Sequence, residues 1–415
     1  MAITNQQVAE VSQLVAEQGV EALIASPDPI LNLMYKGYNK DFDNAKYQSG
    51  STIYIRIEDQ PAMPLQQTEM VIDPIVQSEI SATVLNWTTG WNLNTAFEAL
   101  SIGGPARLRE RVTKPRGKQM AVQAATICYN QLFTCPGFIS SYAAGTAFKT
   151  GNDFGNARAA LKNQQAHSGL CSAMTPDDMA QVAGDLATRF NPEDDSAFAY
   201  TDGEVKKVSS LMLYESTLIP NHTNGTAAGT GSAGAILNSN PASGATTIAI
   251  TGGTSTGTYT VNSIIYFPGV YEINPDTKQP LSNLRGFTVT APLTLSGGAG
   301  TLSIFPALVG PENPKMQTCS ALPTTASYVA LYGLPSGIYR QMLFFRRDSS
   351  AFISVKQEEL IKAENGMADM QGVVIQTASS GDIFNRQNLS RLDLLATAVN
   401  TQWRHQYRVY TAKLN

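Results

Sequence analysis

Apolar residues recur at Val8, Val11, Val15 and Ala22, so the spacing predicts an amphipathic helix over 5–24. A Thr4/Gln7 capping box opens it, and Ser26-Pro27-Asp28-Pro29 stops it. Such a helix cannot bury its own stripe, so it must pack on the rest of this chain or on a neighbouring copy. The pattern then switches to period two. Ser51–Ile57 alternates and is rich in β-branched residues, and Gln77–Trp87 reads as a second strand with Ile80, Ala82, Val84 and Asn86 on one face. Two strands joined by a long polar connection predict a protruding hairpin. Helical spacing returns at Gln119–Phe133, at 154–166 and at 176–190, the last opened by Thr175 as N-cap, Pro176, and Asp177 and Asp178 in the first turn. Residues 356–364 read as helix and Leu389–Tyr410 as strands.

Between Thr223 and Gly310 the only charges are Glu272, Asp276, Lys278 and Arg285. Short β runs at Thr246–Thr251, Gly257–Val261, Ile264–Val270, Phe287–Ala291 and Thr301–Phe305 alternate there with Gly, Asn and Ser turns. The pattern predicts a small antiparallel barrel or sandwich, inserted in a larger α+β chain and flanked by Gly225–Gly234 and Pro311–Pro314. A closed barrel suits a sequence too poor in charge to guard open edges.

Across all 415 residues only 15% are charged, against the roughly 25% usual for soluble domains, and the net charge of −4 gives no chain-wide attraction for nucleic acid. One local exception is the run Arg107, Arg109, Arg111, Lys114, Arg116 and Lys118, broken only by Glu110. It is read either as a solvated or ion-paired helix face or as a loose phosphate contact, and the lack of interleaved aromatics argues against single-strand recognition. No apolar stretch reaches membrane-spanning length, and Met1–Val8 lacks the basic start of a secretory signal. Cys128, Cys135, Cys171 and Cys319 form no CxxC pair and His167, His222 and His405 are dispersed, so reduced thiols and no metal site are expected.

Two catalytic motifs match only as strings. Gly229–Gly234 fits GxGxxG but lacks the preceding strand and following helix of a dinucleotide site. Gly253–Gly257 fits GxSxG but lies between two β runs, where a hairpin turn is expected instead of a nucleophile elbow. No catalytic or cofactor-binding residue is expected.

Phe267–Gln279 followed by Leu284–Val289 resembles the insertion of the coat proteins of short-tailed enterobacterial phages, where GV-x-x-VNP-x-TKQ leads to L-x-x-F-x-V. Leu161-Lys162, Thr175–Asp178, Phe190-Asn191, Gly203–Val205 and Ser216–Thr223 fit the same family in order and spacing, over roughly 45–410. Phe267-Pro268 and the Gly-rich entry at Gly225–Gly234 depart from its pattern.

The resemblance implies an α+β capsid fold of the Hong-Kong-97 type. It would comprise an arm (1–40), an extended hairpin loop (41–97), a spine helix and peripheral domain with the start of the axial domain (98–222), an inserted β domain (223–310), and the remainder (311–415). It also implies a subunit that self-assembles as hexamers and pentamers into the icosahedral head around double-stranded DNA. A separate scaffolding protein and a portal would take part, with assembly in the bacterial cytoplasm and no membrane or cofactor. The candidate contacts between subunits are Tyr54, Ile55, Arg56 and Trp87, and an arm that reaches neighbours predicts that deleting 2–24 leaves a folded subunit unable to form shells. The reading from a different class is a surface or secreted carbohydrate-binding protein, using Tyr259, Tyr266 and Tyr271 of the 223–310 module.

Overall fold

The computed structural model describes residues 5–24, 28–40, 42, 47–57, 78–94, 104–139, 150–187, 206–227, 234–359, 363–382 and 387–414. They form two compact units, one of Met1–Ile55, Glu79–Gln131 and Ser350–Thr401, the other of Arg56–Ser78, Leu132–Ser349 and Gln402–Asn415.

The first unit is built on a five-stranded antiparallel sheet. Its central strand, Gln387–Asn400, pairs with Leu85–Asn94 on one side and with Ser350–Ser354 and Val373–Asp382 on the other, and Glu364–Met370 follows outside Val373–Asp382. Helix α1 (Asn5–Ile24) forms as expected and packs on Glu364–Met370 and Val373–Asp382, burying Val15, Ala16, Val20 and Leu23. The arm is therefore docked on its own chain's sheet. Of the two packings expected for it, the one on its own chain is seen, and this corrects the expectation that its deletion leaves the subunit intact: removing it would uncover apolar sheet surface.

Helix α2 (Gly104–Leu132, 29 residues) crosses α1 closely. A Cβ at Gly117 would sit 2.7 Å from the Ala22 Cβ and 2.9 Å from the Gly19 carbonyl oxygen. Gly117→Val is therefore expected to destabilise the unit by about 1–3 kcal/mol through overpacking, read as a lower denaturant midpoint. An unchanged midpoint would contradict this crossing.

In the second unit, the sheet order is Gly137–Phe138, Gln406–Lys413, Ile338–Arg346, Leu170–Met174, Leu211–Glu215 and Lys207–Val208, with His222–Thr223 also paired to Ile338–Arg346. Helices α3 (Thr150–Asn163) and α4 (Pro176–Ala187) bury Phe154, Leu161, Met179 and Val182 against Leu213, Met342, Phe344 and Val409. The cap of α4 is as the sequence indicates: the Asp178 N–H donates to Thr175 Oγ1 (3.4 Å) and the Thr175 hydroxyl donates to Asp178 Oδ2 (2.9 Å).

The β module forms a six-stranded sheet in the order Ala330–Leu331, Ile264–Ile273, Pro280–Val289, Gly300–Leu308, Ala245–Thr251, Ile236–Leu237. An Ile236–Tyr328 bridge and the bonds Leu237 N to Ser327 O (3.0 Å) and Val329 N to Ala235 O (2.9 Å) close it on itself. Ile248, Ile250, Phe267, Phe287, Val289, Leu302 and Leu331 fill the interior. The expected right edge at Gly310 falls short, because the strands that close the sheet come from 327–331, beyond the Pro311–Pro314 turn.

Three further expectations are corrected. The run Gln77–Trp87 breaks at Val84: Ser78–Thr83 pairs with Thr52–Ile57, while Leu85–Asn94 joins the large sheet. The long helix starts at Gly104 instead of 119 and contains Pro115, so the basic run lies on it. Among the described part of 356–364 there is no helix: Gln357 bridges Tyr47, and the Gln376 amide both accepts from the Gln357 N–H (3.0 Å) and donates to its carbonyl (2.9 Å). This tertiary clamp overrides local propensity. The GxGxxG stretch, apart from Gly234, lies outside the described residues.

Candidate functional site: the module junction and the assembly surfaces

The motif that carries the family resemblance holds the module to the seven-stranded sheet of its own unit. Glu272 and Arg285, only 1% and 2% exposed, face each other with Arg285 Nη1 3.3 Å from Glu272 Oε1. Tyr407, on the sheet strand Gln406–Lys413, donates its hydroxyl to Glu272 Oε2 (2.7 Å). Trp403, at the turn before that strand, carries two guanidiniums, Arg285 at 4.5 Å and Arg404 at 4.8 Å from its ring centroid. Arg404 donates to the Gln317 carbonyl (2.7 Å), and the Gln164 amide, just past α3, donates to the Ile273 carbonyl (3.1 Å). Burial raises the Glu272 carboxyl, while Arg285, Tyr407, Gln164 and Arg404 pull it back down. Burial and the neighbouring Arg285 lower Arg404 to about 10. One buried carboxylate thus pairs with Arg285 and lies near a second guanidinium, Arg404, an arrangement whose value lies in fixing geometry and whose disruption is costly.

A second contact lies where the module enters and leaves the sheet. Asn224 Nδ2 donates to the carbonyls of Tyr332 (2.9 Å) and Leu334 (3.1 Å). Tyr410 stacks on Tyr339 at 4.5 Å and on His222 at 5.9 Å, and Tyr332 donates to the Ile139 carbonyl (2.9 Å). The fully buried Arg408 reaches across to the Asn262 carbonyl (2.7 Å) and the Gln341 side chain (3.3 Å).

Two histidines lie in these contacts as neutral rings. His405 Nε2 must donate, since its partner is the Gln164 carbonyl (2.7 Å). Burial lowers His405 to about 4 and His222 to about 3, with the Arg346 and Arg404 guanidiniums near the first and that of Arg408 near the second adding to the effect. The sign follows from linkage. Unfolded histidines take protons near pH 6.5 and the folded ones do not, so nothing is lost above that value and stability falls as pH drops from about 6.5 towards 4. Denaturant midpoints measured from pH 7.5 to 4.5 are expected to fall, and His405→Gln to flatten the fall. A pH-independent midpoint would contradict both assignments.

Of the candidate contacts between subunits, strand alternation separates the neighbours. Tyr54 (62% exposed) and Arg56 point outward, but Ile55 is buried with Ile53, Ile353 and Val399 and is withdrawn as a contact residue. Trp87 is half-buried, and its Nε1 is buried without a hydrogen-bond partner. In the basic run, Arg107, Arg111, Lys114 and Lys118 recur at helical spacing along α2. Arg111, Lys114 and Lys118 are exposed, while the side chains of Arg107 and Arg109 lie outside the described ones. Arg116 leaves that stripe: it covers Trp91 at 4.9 Å and donates to the Val112 carbonyl (3.0 Å).

The enzyme-like strings resolve structurally. Gly253–Gly257 is a turn between the strands Ala245–Thr251 and Thr258–Tyr259, closed by Gly257 N to Thr254 O (3.0 Å), with Ser255 exposed. All four cysteines are buried free thiols, with burial raising Cys135 and Cys171 to about 11. Among the described residues no cluster of three metal-ligating side chains occurs, and no helix is long and apolar enough to cross a membrane. The tyrosines proposed for sugar binding do not form a platform: Tyr259 is in the module core, Tyr266 packs on Phe138 at 5.3 Å, and Tyr271 is the exposed one.

The chain thus combines a docked N-terminal helix, a 29-residue helix and a charge-poor β module held to the sheet of its own unit. The model of the family described as "P22 coat protein - gene protein 5" matches residues 105–404, and the chain belongs to that family. It is a coat protein of mixed α+β build, whose copies associate into a shell. Among solved structures, the chain is similar to one from Mycobacterium phage Che8 (9% identity, 92% of this chain and 90% of that one covered, TM-score 0.43). It is also similar to the mature capsid of bacteriophage PhiM1 (10%, 88% and 83%, 0.43) and to a virus-like particle from Pyrococcus furiosus (5%, 96% and 99%, 0.42). A comparison with curated protein sequences gives no match.

Proposed function

We propose that this chain is the major subunit of an icosahedral phage head enclosing double-stranded DNA, built as hexamers and pentamers with a separate scaffolding protein and a portal, in the bacterial host cytoplasm. It does so without catalysis and without a cofactor. The observation that carries the proposal is the family match over 105–404, which includes the segment holding Glu272 and Arg285. Tyr54, Arg56 and Trp87 serve contacts between copies. The stripe of Arg111, Lys114 and Lys118 on α2 serves loose, sequence-independent contact with packaged phosphates, a role that needs only exposed cations at helical spacing. Sedimentation of the protein co-expressed with its scaffolding protein is the test. Particles of megadalton mass are expected, and recovery only of 44.5 kDa monomer would overturn the proposal.

A further inference from the structure

An open sheet edge is a template for pairing, and folded chains cover it or guard it with charge, proline or a bulge. The five-stranded sheet of the first unit has three edges. At Ser350–Ser354 the chain covers its own edge: Tyr35 N donates to the Ser350 carbonyl (2.8 Å) and Phe352 N to the Tyr35 carbonyl (3.0 Å). At Glu364–Met370 the edge bears Glu364 and Asp369, and α1 reaches over it, with Gln13 Oε1 accepting from the Met367 N–H (3.1 Å). The third edge is Leu85–Asn94, ten residues paired on one side only, to Gln387–Asn400.

Apart from Asn86 near its start, whose N–H donates to Ser49 Oγ (3.2 Å), that third edge has none of these protections. No charged residue or proline occurs in Leu-Asn-Trp-Thr-Thr-Gly-Trp-Asn-Leu-Asn, and its ladder to Gln387–Asn400 runs without a register shift. Among the described residues, no other strand pairs with it. Its side chains show the same incompleteness: Asn86 Oδ1 and Trp87 Nε1 are buried without hydrogen-bond partners, although buried polar atoms are normally satisfied.

We infer that the outer edge of Leu85–Asn94 receives an extended segment from a second copy of this chain, which adds to the sheet as a further strand. This rests on the shell-subunit reading, since a protein whose copies pack side by side has a partner at high local concentration, and it names the surface that does the packing. Main-chain pairing along such an edge is tolerant of the incoming side chains. That tolerance suits copies meeting in similar but unequal environments.

The test uses the full chain. Gly90→Lys and Thr88→Lys place a guard charge on the edge. Both positions are exposed, and a Cβ at Gly90 comes no closer than 3.7 Å to its nearest neighbour, the Ser390 carbonyl oxygen, so the subunit is expected to keep its circular dichroism and melting temperature. Shell yield is expected to fall by at least about tenfold, while Thr256→Lys, in the exposed turn of the β module, leaves it unchanged. Independently of any variant, amides of 85–94 are expected to exchange at least about tenfold more slowly in wild-type shells than in free subunits. Shells of Gly90→Lys in normal yield, or wild-type shells whose 85–94 amides exchange as in the free subunit, would overturn the edge assignment and leave the shell reading standing. If a variant fails to fold, the wild-type exchange measurement decides. A wild-type chain that forms no shells overturns both.

Discussion

Glu272→Leu is expected to lower subunit stability by about 3–5 kcal/mol, the cost of breaking a buried ion pair from one side. The cost arises because Arg285 (2% exposed) loses its carboxylate partner, the half-buried Arg404 loses a nearby negative charge, and the Tyr407 hydroxyl loses its acceptor. The effect should be largely relieved in Glu272→Leu/Arg285→Met, because replacing both partners of a buried pair by apolar groups is often near neutral. Tyr407→Phe, which removes one hydrogen bond to the carboxylate, should cost about 1.5–3 kcal/mol. Denaturant titrations of the four proteins check this. A double variant as unstable as the single one would show that the pair is not what holds the junction.

The second large effect is steric. Gly286 lies on Pro280–Val289 where the module meets 136–138, and a Cβ there would sit 2.2 Å from the Pro136 carbonyl oxygen and 2.7 Å from Phe138 Cδ1. Neither a backbone oxygen nor a ring packed on Tyr266 and Tyr332 can move away cheaply. Gly286→Val should therefore cost about 3 kcal/mol, the upper end for overpacking, and lower the yield of assembled protein. The contrasting control is Gly155→Ala on α3, where nothing lies within 4 Å of the added Cβ. Removing a helix-interior glycine there should stabilise by about 0.5–1 kcal/mol. Thermal melts that fail to separate the two substitutions would contradict the close approach of the module to the sheet.

Much of this fold is legible in the sequence because its signals are local. The stripe at Val15, the Thr175–Asp178 cap and the alternation in Ile264–Ile273 each state their structure within one turn or one strand. Long-range pairing was illegible. The closing strand at 327–331 follows a proline-bounded turn and is too short to show a pattern. Gln357 is extended because Gln376 holds it. The start of α2 is hidden by Pro115 and the dense cations, which read as a break in helical spacing. Ile55 shows the limit of choosing contacts by residue type, since the alternation that marked its strand also turns it inward. The junction did leave a signal. In a segment holding four charges, Glu272 and Arg285 lie on adjacent strands with apolar neighbours, and opposite charges in such a setting must find each other. Tyr407, Trp403 and Arg404, more than a hundred residues away, could not have been assigned to them without the fold.

Electron microscopy of the assembled protein tests the central claim most directly. The capsid assignment predicts closed isometric shells built from one repeating subunit. Only dispersed subunits or irregular aggregates, from a chain shown to be folded, would contradict it.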